Sequence, residues 1–316
     1  MPPDLAAIRA AHARIRPHIH RTPVLTSAAL DAQCGGELFF KCENFQQTGA
    51  FKARGATNAV FSLTDAEAAR GVATHSSGNH AAALARAARL RGIPAFIVMP
   101  SNSSPSKIRN VEAFGGRITF CAPNQQAREA ACALVIAETG AALIHPFTDD
   151  RVMAGQGTAA LELLEDTPGL DLILCPVGGG GLLAGTAIAV RGTRAQVQVI
   201  AVEPAEAGDA ARSFRAGHIV PLEREATIAD GLRTTVGAPN FTVMQELVTD
   251  VVTVSETAIV AAMRELWETL KVVVEPSGAV PYAAIMENKI PLAGLRVGLI
   301  LTGGNVDLDK LPWAKG

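Results

Sequence analysis

From Glu37 to Gly304 the chain alternates short apolar, β-branched runs with longer alanine-rich stretches that carry polar residues on one side. The runs ELFFKCE, GVATHS, PAFIVMP, RITFCA, AALIHP, LDLILCPV, QVQVIAVEP and RVGLILTGG predict strands, because they are short, rich in β-branched residues and bounded by turn residues. Most lead into helical stretches such as NHAAALARAARLRG. In that segment Ala and Leu dominate, arginines fall in the last turn where they suit the negative end of the helix dipole, and Gly92 stops it, which predicts a helix from Asn79 to Arg91. Strands alternating with helices imply an α/β fold of βαβ units, its mainly parallel sheets flanked by helices. In such folds ligands sit at the C-terminal ends of the strands, so the strand-ending turns are where chemistry is sought.

Composition narrows the class. At 316 residues the chain can bury a substantial core, and 48% hydrophobic against 18% charged residues describes a globular protein rather than a disordered one. A net charge of −2 with no basic cluster argues against nucleic acid and membrane surfaces as partners. Five cysteines, an odd number without CxxC spacing, argue against a disulfide framework or a zinc site. No run reaches membrane-spanning length and MPPDLAAIRAAHARIR has no signal-peptide core, so the expected location is the cytoplasm.

Four strand-ending turns stand out: HSSGNH, VGGGGLLAG, VEPAEAGD and LTGGNVD. Four successive glycines, Gly178 to Gly181, are costly in unfolded-state entropy, so something must approach their backbone closely. A turn without side chains that opens into the helix LLAGTAIAV makes a nest of N–H donors suited to phosphate. No lysine follows in Walker-A position. A rival reading takes Gly179, Gly181 and Ala184 as GxGxxA and Glu203 as a ribose-binding acid, which describes an NAD-dependent oxidoreductase; it leaves the other turns without roles. HSSGNH sets hydroxyls and an amide at a helix N-terminus, a cradle for a carboxylate as well as an ordinary cap. Lys52, in NFQQTGAFKARGAT, stands alone among small residues. A lysine able to form a Schiff base, a phosphate cradle and a carboxylate turn together describe a pyridoxal 5'-phosphate enzyme acting on an amino acid, with a non-catalytic amino-acid-binding protein as the alternative of another class.

KCENFQQTGAFKARGA, THSSGNH, HPF…AGQGT, VGGGGLLAG, VEPAEAGD, TIADG, VEPSGAV and LTGGNVD, in this order across nearly the whole chain, resemble the motifs of the fold-type II pyridoxal-phosphate serine/threonine dehydratases, most closely the serine racemase and 3-hydroxyaspartate dehydratase branch. The resemblance implies a two-lobed, tryptophan synthase beta-like fold, with a large cofactor-binding domain of residues 1–70 and 149–316 and a small mobile domain of residues 71–148. It implies that Lys52 carries the cofactor covalently, that Phe51 flanks the ring, that Gly178, Gly179, Gly180, Gly181 and Leu182 hold the phosphate, and that Asn79 and Thr302 meet the ring hydroxyl and the pyridine nitrogen. Substrate would meet Ser76, Ser77, Asn79 and His80. The implied activity is an ammonia-lyase (dehydratase) that turns a small β-hydroxy amino acid, L-serine, L-threonine or 3-hydroxyaspartate, into keto acid and ammonia. Serine or aspartate racemisation is the alternative on the same site, since Ser77 would stand opposite Lys52 as a second acid/base.

The resemblance also implies a metal at Glu203, the Ala207 carbonyl and Asp209, where oxygen donors suit Mg²⁺ or Ca²⁺, with Mn²⁺ as a further option. Arg128 matches a position that faces a second substrate carboxylate, a task that suits a guanidinium. His75, His80 and His145 follow no zinc spacing. A homodimer is implied, and with little chain after LTGGNVD feedback inhibition by isoleucine is not expected. Three departures stand out: Ala50 and Thr302 replace serines, and AAA follows HSSGNH where GQA is usual, which leaves substrate choice open.

Overall fold

The computed structural model describes residues 2–76, 78–223 and 226–313, so Ser77 lies outside the described residues. Ten strands form two sheets: β1 (Val24–Leu25), β2 (Glu37–Cys42), β3 (Val72–His75), β4 (Ala95–Pro100), β5 (Arg117–Cys121), β6 (Ala142–Leu143), β7 (Leu172–Pro176), β8 (Gln198–Pro204), β9 (Asp250–Val254) and β10 (Arg296–Leu301). A six-stranded sheet runs in the order β1-β2-β10-β7-β8-β9 and a four-stranded sheet in the order β5-β4-β3-β6. Every pairing is parallel except β1 with β2. The two-residue β1 and the short β9 are not among the runs named from sequence, because neither carries a long apolar pattern.

The inner strands of both sheets are buried on both faces, which is why they read as continuous apolar runs, whereas the edge strand β5 leaves Phe120 exposed. Along β7, Leu172 and Leu174 join one core while Ile173 and Cys175 join the other; along β8, Ile200 and Val202 face one core and Val199 and Ala201 the other. The four-stranded sheet repeats this scheme: Ile97 and Met99 pack on one side of β4 and Val98 on the other. The helix between β3 and β4 runs Asn79–Arg91 and ends on Gly92 at φ 72°, as its pattern predicts.

Topology gathers the motifs. Because β10 inserts between β2 and β7, the turns that follow β2, β10, β7 and β8 line up along one edge of the larger sheet. The last strand thereby meets the loop that precedes Lys52, with Ala50 bridged to Gly303 and the Phe51 N–H donating to the Thr302 carbonyl at 2.9 Å. Among the described residues no helix is long and apolar enough to cross a membrane.

Candidate active site

A cavity of about 370 Å³ is lined from the larger sheet by Phe51, Lys52, the glycine turn and Thr302, and from the smaller sheet by Ser76, Asn79 and Arg128. Lys52 is the first residue of the helix Lys52–Phe61, whose cap is Phe51. Its Nζ donates to the Pro146 carbonyl at 2.8 Å and lies 5.2 Å from the centre of the Phe51 ring. Burial pushes the amine down to about 8, so a substantial fraction is neutral near physiological pH.

The helix carrying Lys52 is held from below. Arg54, fully buried, sends Nε to Glu43 at 2.7 Å and its two other nitrogens to Glu162 at 2.9 and 2.8 Å. Lys41, equally buried, pairs with Glu162 at 2.8 Å. Two cations and two carboxylates thus balance inside the core, tying the end of β2, the Lys52 helix and the helix Asp150–Asp166 into one unit.

The glycine turn is a shaped cradle. A side chain at Gly179 would strike the Phe147 ring, one at Gly181 would come within 2.9 Å of the Phe147 carbonyl, and one at Gly178 within 2.9 Å of the Leu232 backbone. Gly180 sits at φ 86°, which favours glycine. Among the described residues no protein acceptor takes the N–H groups of Gly178 to Leu182, although all five residues line the cavity. Unpaired donors at the start of the helix Gly181–Thr193 make an anion site. With the Lys52 amine and the Phe51 ring in the same cavity, these residues fit pyridoxal phosphate: a phosphate anchor, an amine for covalent attachment and an apolar face for the ring.

Asn79 is partly engaged. Its amide donates to Glu275 at 2.9 Å and its carbonyl oxygen accepts from Asn305 at 2.8 Å, leaving one N–H to face a ligand. Burial and the neighbouring Asp230 push Glu275 up to about 8. Thr302, nearly inaccessible, lines the cavity. The Ser76 N–H is spent on the Val98 carbonyl at 3.1 Å. His80 is buried, with Nε2 3.3 Å from the Ile144 carbonyl, and burial holds it neutral together with His75 and His145. Arg128 reaches the cavity from the helix Gln125–Thr139 with its Nε buried and unpartnered. Lys107 and Asp230 pair across the mouth, joining the two sheet units.

Glu203 ends β8 with its carboxylate turned away from the glycine turn, accepting from the N–H groups of Ala210 at 3.1 Å and Ala211 at 2.6 Å. It therefore serves no ribose beside that turn, and the dinucleotide reading loses its acid. Asp209 is buried nearby and accepts from the Val236 N–H at 3.1 Å. Burial pushes Glu203 up to about 8 and Asp209 up to about 6. Two buried acids that resist joint ionisation suit a hard cation. Among the described residues no three His, Cys, Asp or Glu side chains gather as a metal cluster, so a cation there would rest on these two carboxylates, a backbone carbonyl and water.

Asn240 and Lys107, which brace the glycine turn and close the mouth, lie in no motif of the sequence. Phe147, Asp230 and Glu275 lie within HPF, TIADG and VEPSGAV, but nothing in those runs shows that Phe147 packs under the glycine turn, that Asp230 pairs with Lys107 or that Glu275 holds Asn79.

This combination of a cleft amine, a bare glycine cradle and two parallel sheets defines a class of cofactor enzyme, and the chain belongs to the pyridoxal-phosphate dependent enzyme family, whose pattern it matches over residues 15–303. Within that family it is 51% identical over 311 residues to the beta-hydroxyaspartate dehydratase of Paracoccus denitrificans, covering 98% of this chain and 99% of that protein. It is 49% identical over 313 residues to the serine racemase of Arabidopsis thaliana, covering 98% of this chain and 95% of that protein. The solved structure of maize serine racemase superposes with a TM-score of 0.96 at 49% identity, covering 98% of this chain and 95% of that one.

Proposed function

We propose that the protein is a pyridoxal-phosphate ammonia-lyase that eliminates water from a small β-hydroxy amino acid, 3-hydroxyaspartate above serine or threonine, and regains it on hydrolysis, so that the net products are keto acid and ammonia. The observation that carries this reading is the pairing, in one cavity, of the partly buried Lys52 amine, its pKa lowered, with Arg128, whose Nε finds no protein partner. When bound, pyridoxal phosphate supplies an electron sink for charge developing at the substrate Cα. Lys52, about half neutral near pH 8, takes the Cα proton. Ser76 and the N-terminus of the helix Asn79–Arg91 hold the α-carboxylate, and Arg128 holds the β-carboxylate of a dicarboxylic substrate. Loss of the β-hydroxyl as water leaves an enamine that hydrolyses to keto acid and ammonia. Phe51 and Thr302 line the cavity, where Phe51 would give the bound ring an apolar neighbour and Thr302 a neutral hydroxyl rather than a charged acid.

Racemisation is the second reading, favoured by the high identity to serine racemases and assigned to Ser77, which lies outside the described residues. Glu203, Asp209 and the Ala207 carbonyl would hold Mg²⁺ or Ca²⁺ away from the chemistry. Residues 71–148 would move as a small domain against the rest, and the protein would act as a homodimer in the cytoplasm. The deciding experiment supplies L- and D-serine, L-threonine and the 3-hydroxyaspartate stereoisomers, following keto acid release and enantiomer exchange together. Keto acid from a 3-hydroxyaspartate faster than from serine is expected; exchange without keto acid from every substrate would overturn the lyase reading.

A further inference from the structure

The glycine turn is shaped by one side chain that lies far from it in sequence. Asn240, in the first turn of the helix Ala238–Leu247, is 1% exposed. Its Nδ2 donates both hydrogens, one to the Gly179 carbonyl at 2.6 Å and one to the Phe147 carbonyl at 2.9 Å. The Gly237 N–H donates to the same Gly179 carbonyl at 3.1 Å. The Asn240 Oδ1 is left buried without a partner, an uncommon cost that the two donated bonds offset. A flipped amide would set its oxygen against two carbonyls, so the donor role follows from the neighbours alone.

In a trans peptide the C=O and the following N–H point in opposite directions. Holding the Gly179 carbonyl toward Asn240 therefore turns the Gly180 N–H away from Asn240 and toward the cavity. Asn240 and Val236 fill the other side of that peptide, where a Gly180 side chain would meet Asn240 Cβ at 2.9 Å and Val236 Cγ2 at 3.0 Å. The second bond fastens Phe147, whose ring and carbonyl floor Gly179 and Gly181. Glycine is the residue most able to abandon such a conformation, so an external hold is required if the nest is to be ready before the anion arrives.

We infer that Asn240 is a positioning residue for the anion cradle, setting the Gly179–Gly180 peptide so that its N–H serves the cofactor phosphate. This inference rests on the reading that the turn from Gly178 to Leu182 takes that phosphate. It separates affinity for the phosphate from affinity for the ring: losing the hold costs the phosphate its donor while the amine of Lys52 and the face of Phe51 stay in place.

The test compares pyridoxal phosphate with pyridoxal, which lacks the phosphate, binding to apoenzyme by equilibrium dialysis for wild type and for Asn240→Thr, Asn240→Ala and Asn240→Asp. Thr retains one donor, Ala none, and Asp sets a carboxylate against two carbonyls. Pyridoxal phosphate binding should weaken in that order, by roughly 10- to 100-fold for Ala. Pyridoxal binding should shift by less than about threefold, and the ³¹P resonance of bound cofactor should move in the variants. Equal weakening of both ligands, or no weakening of either, would overturn the inference. Should Asp prevent folding, the Thr and Ala pair still decides, with urea denaturation of the apoenzymes showing whether each is folded. A wild type that fails to discriminate the two ligands would instead sink the phosphate reading beneath it.

Discussion

The two walls of the cleft are built to different standards. On the larger-sheet wall every functional group stands on buried, multiply bonded supports: Lys52 above the Arg54, Glu43, Glu162 and Lys41 cluster, and the glycine turn between Phe147 and Asn240. On the smaller-sheet wall Arg128 is half-buried with a free Nε, and the ties across the cleft include single side-chain bonds from Asn79 to Glu275 and Asn305 and the partly exposed Lys107–Asp230 pair. A cofactor with one fixed shape rewards a rigid wall, because each donor is then in place without further ordering cost. A substrate that must enter and leave is better served by a wall whose ties are individually weak.

Four experiments press on that contrast. The largest effect is expected for Lys52→Ala, which should lower lyase turnover by about 10⁴-fold or more and remove the borohydride-sensitive visible band of the holoenzyme. Activity surviving that change would break the assignment of the rigid wall to chemistry.

Next is Arg54→Met. Glu43 and Glu162 would then share a dry interior with Lys41 and the His12 imidazole beside Glu162 but no partner in place of Arg54, and urea unfolding should show a loss of about 3–5 kcal/mol. A loss below about 1 kcal/mol would show that this wall is less tightly supported than its bonds suggest.

Arg128→Gln comes third and addresses the smaller-sheet wall. One charge-assisted contact is worth roughly 1.5–3 kcal/mol, so kcat/KM for 3-hydroxyaspartate should fall about 10- to 100-fold while that for serine changes little. Equal falls for both would place Arg128 outside substrate choice.

The smallest change over a single pH unit concerns Glu275, which joins the walls through Asn79. Its carboxyl is raised from 4.5 to about 8 by burial and by Asp230, so the folded state holds a proton that the unfolded state releases. Unfolding then releases that proton, and the contribution to stability is present below about 4.5 and lost as pH rises toward about 8. The slope from one such group is at most about 1.4 kcal/mol per pH unit. Denaturation of the apoenzyme at several pH values should show this decline, and Glu275→Gln should flatten it; an unchanged slope would remove Glu275 as its source.

Much of this was legible in the sequence. The alternation of strand and helix, the helix Asn79–Arg91, and the candidacy of Lys52 and the glycine run follow from short-range patterns, because strand burial on two faces and helix capping are local in their causes, whereas Thr302 is singled out through the family resemblance. Glu203 shows where local reading misleads. Its position after a strand suited a ribose acid, yet its carboxylate folds back onto the N–H groups of Ala210 and Ala211.

By itself, then, the sequence determined the kinds of element and the residues able to do chemistry, since each is decided by neighbours a few positions away. Only the tertiary structure decided which of them meet. The insertion of β10 between β2 and β7 brought Thr302 to Phe51, and a hydrogen bond across 61 positions put Asn240 behind Gly179. Those encounters depend on parallel strands lying side by side and on peptide orientation within a packed core, and no run of neighbouring residues encodes either one.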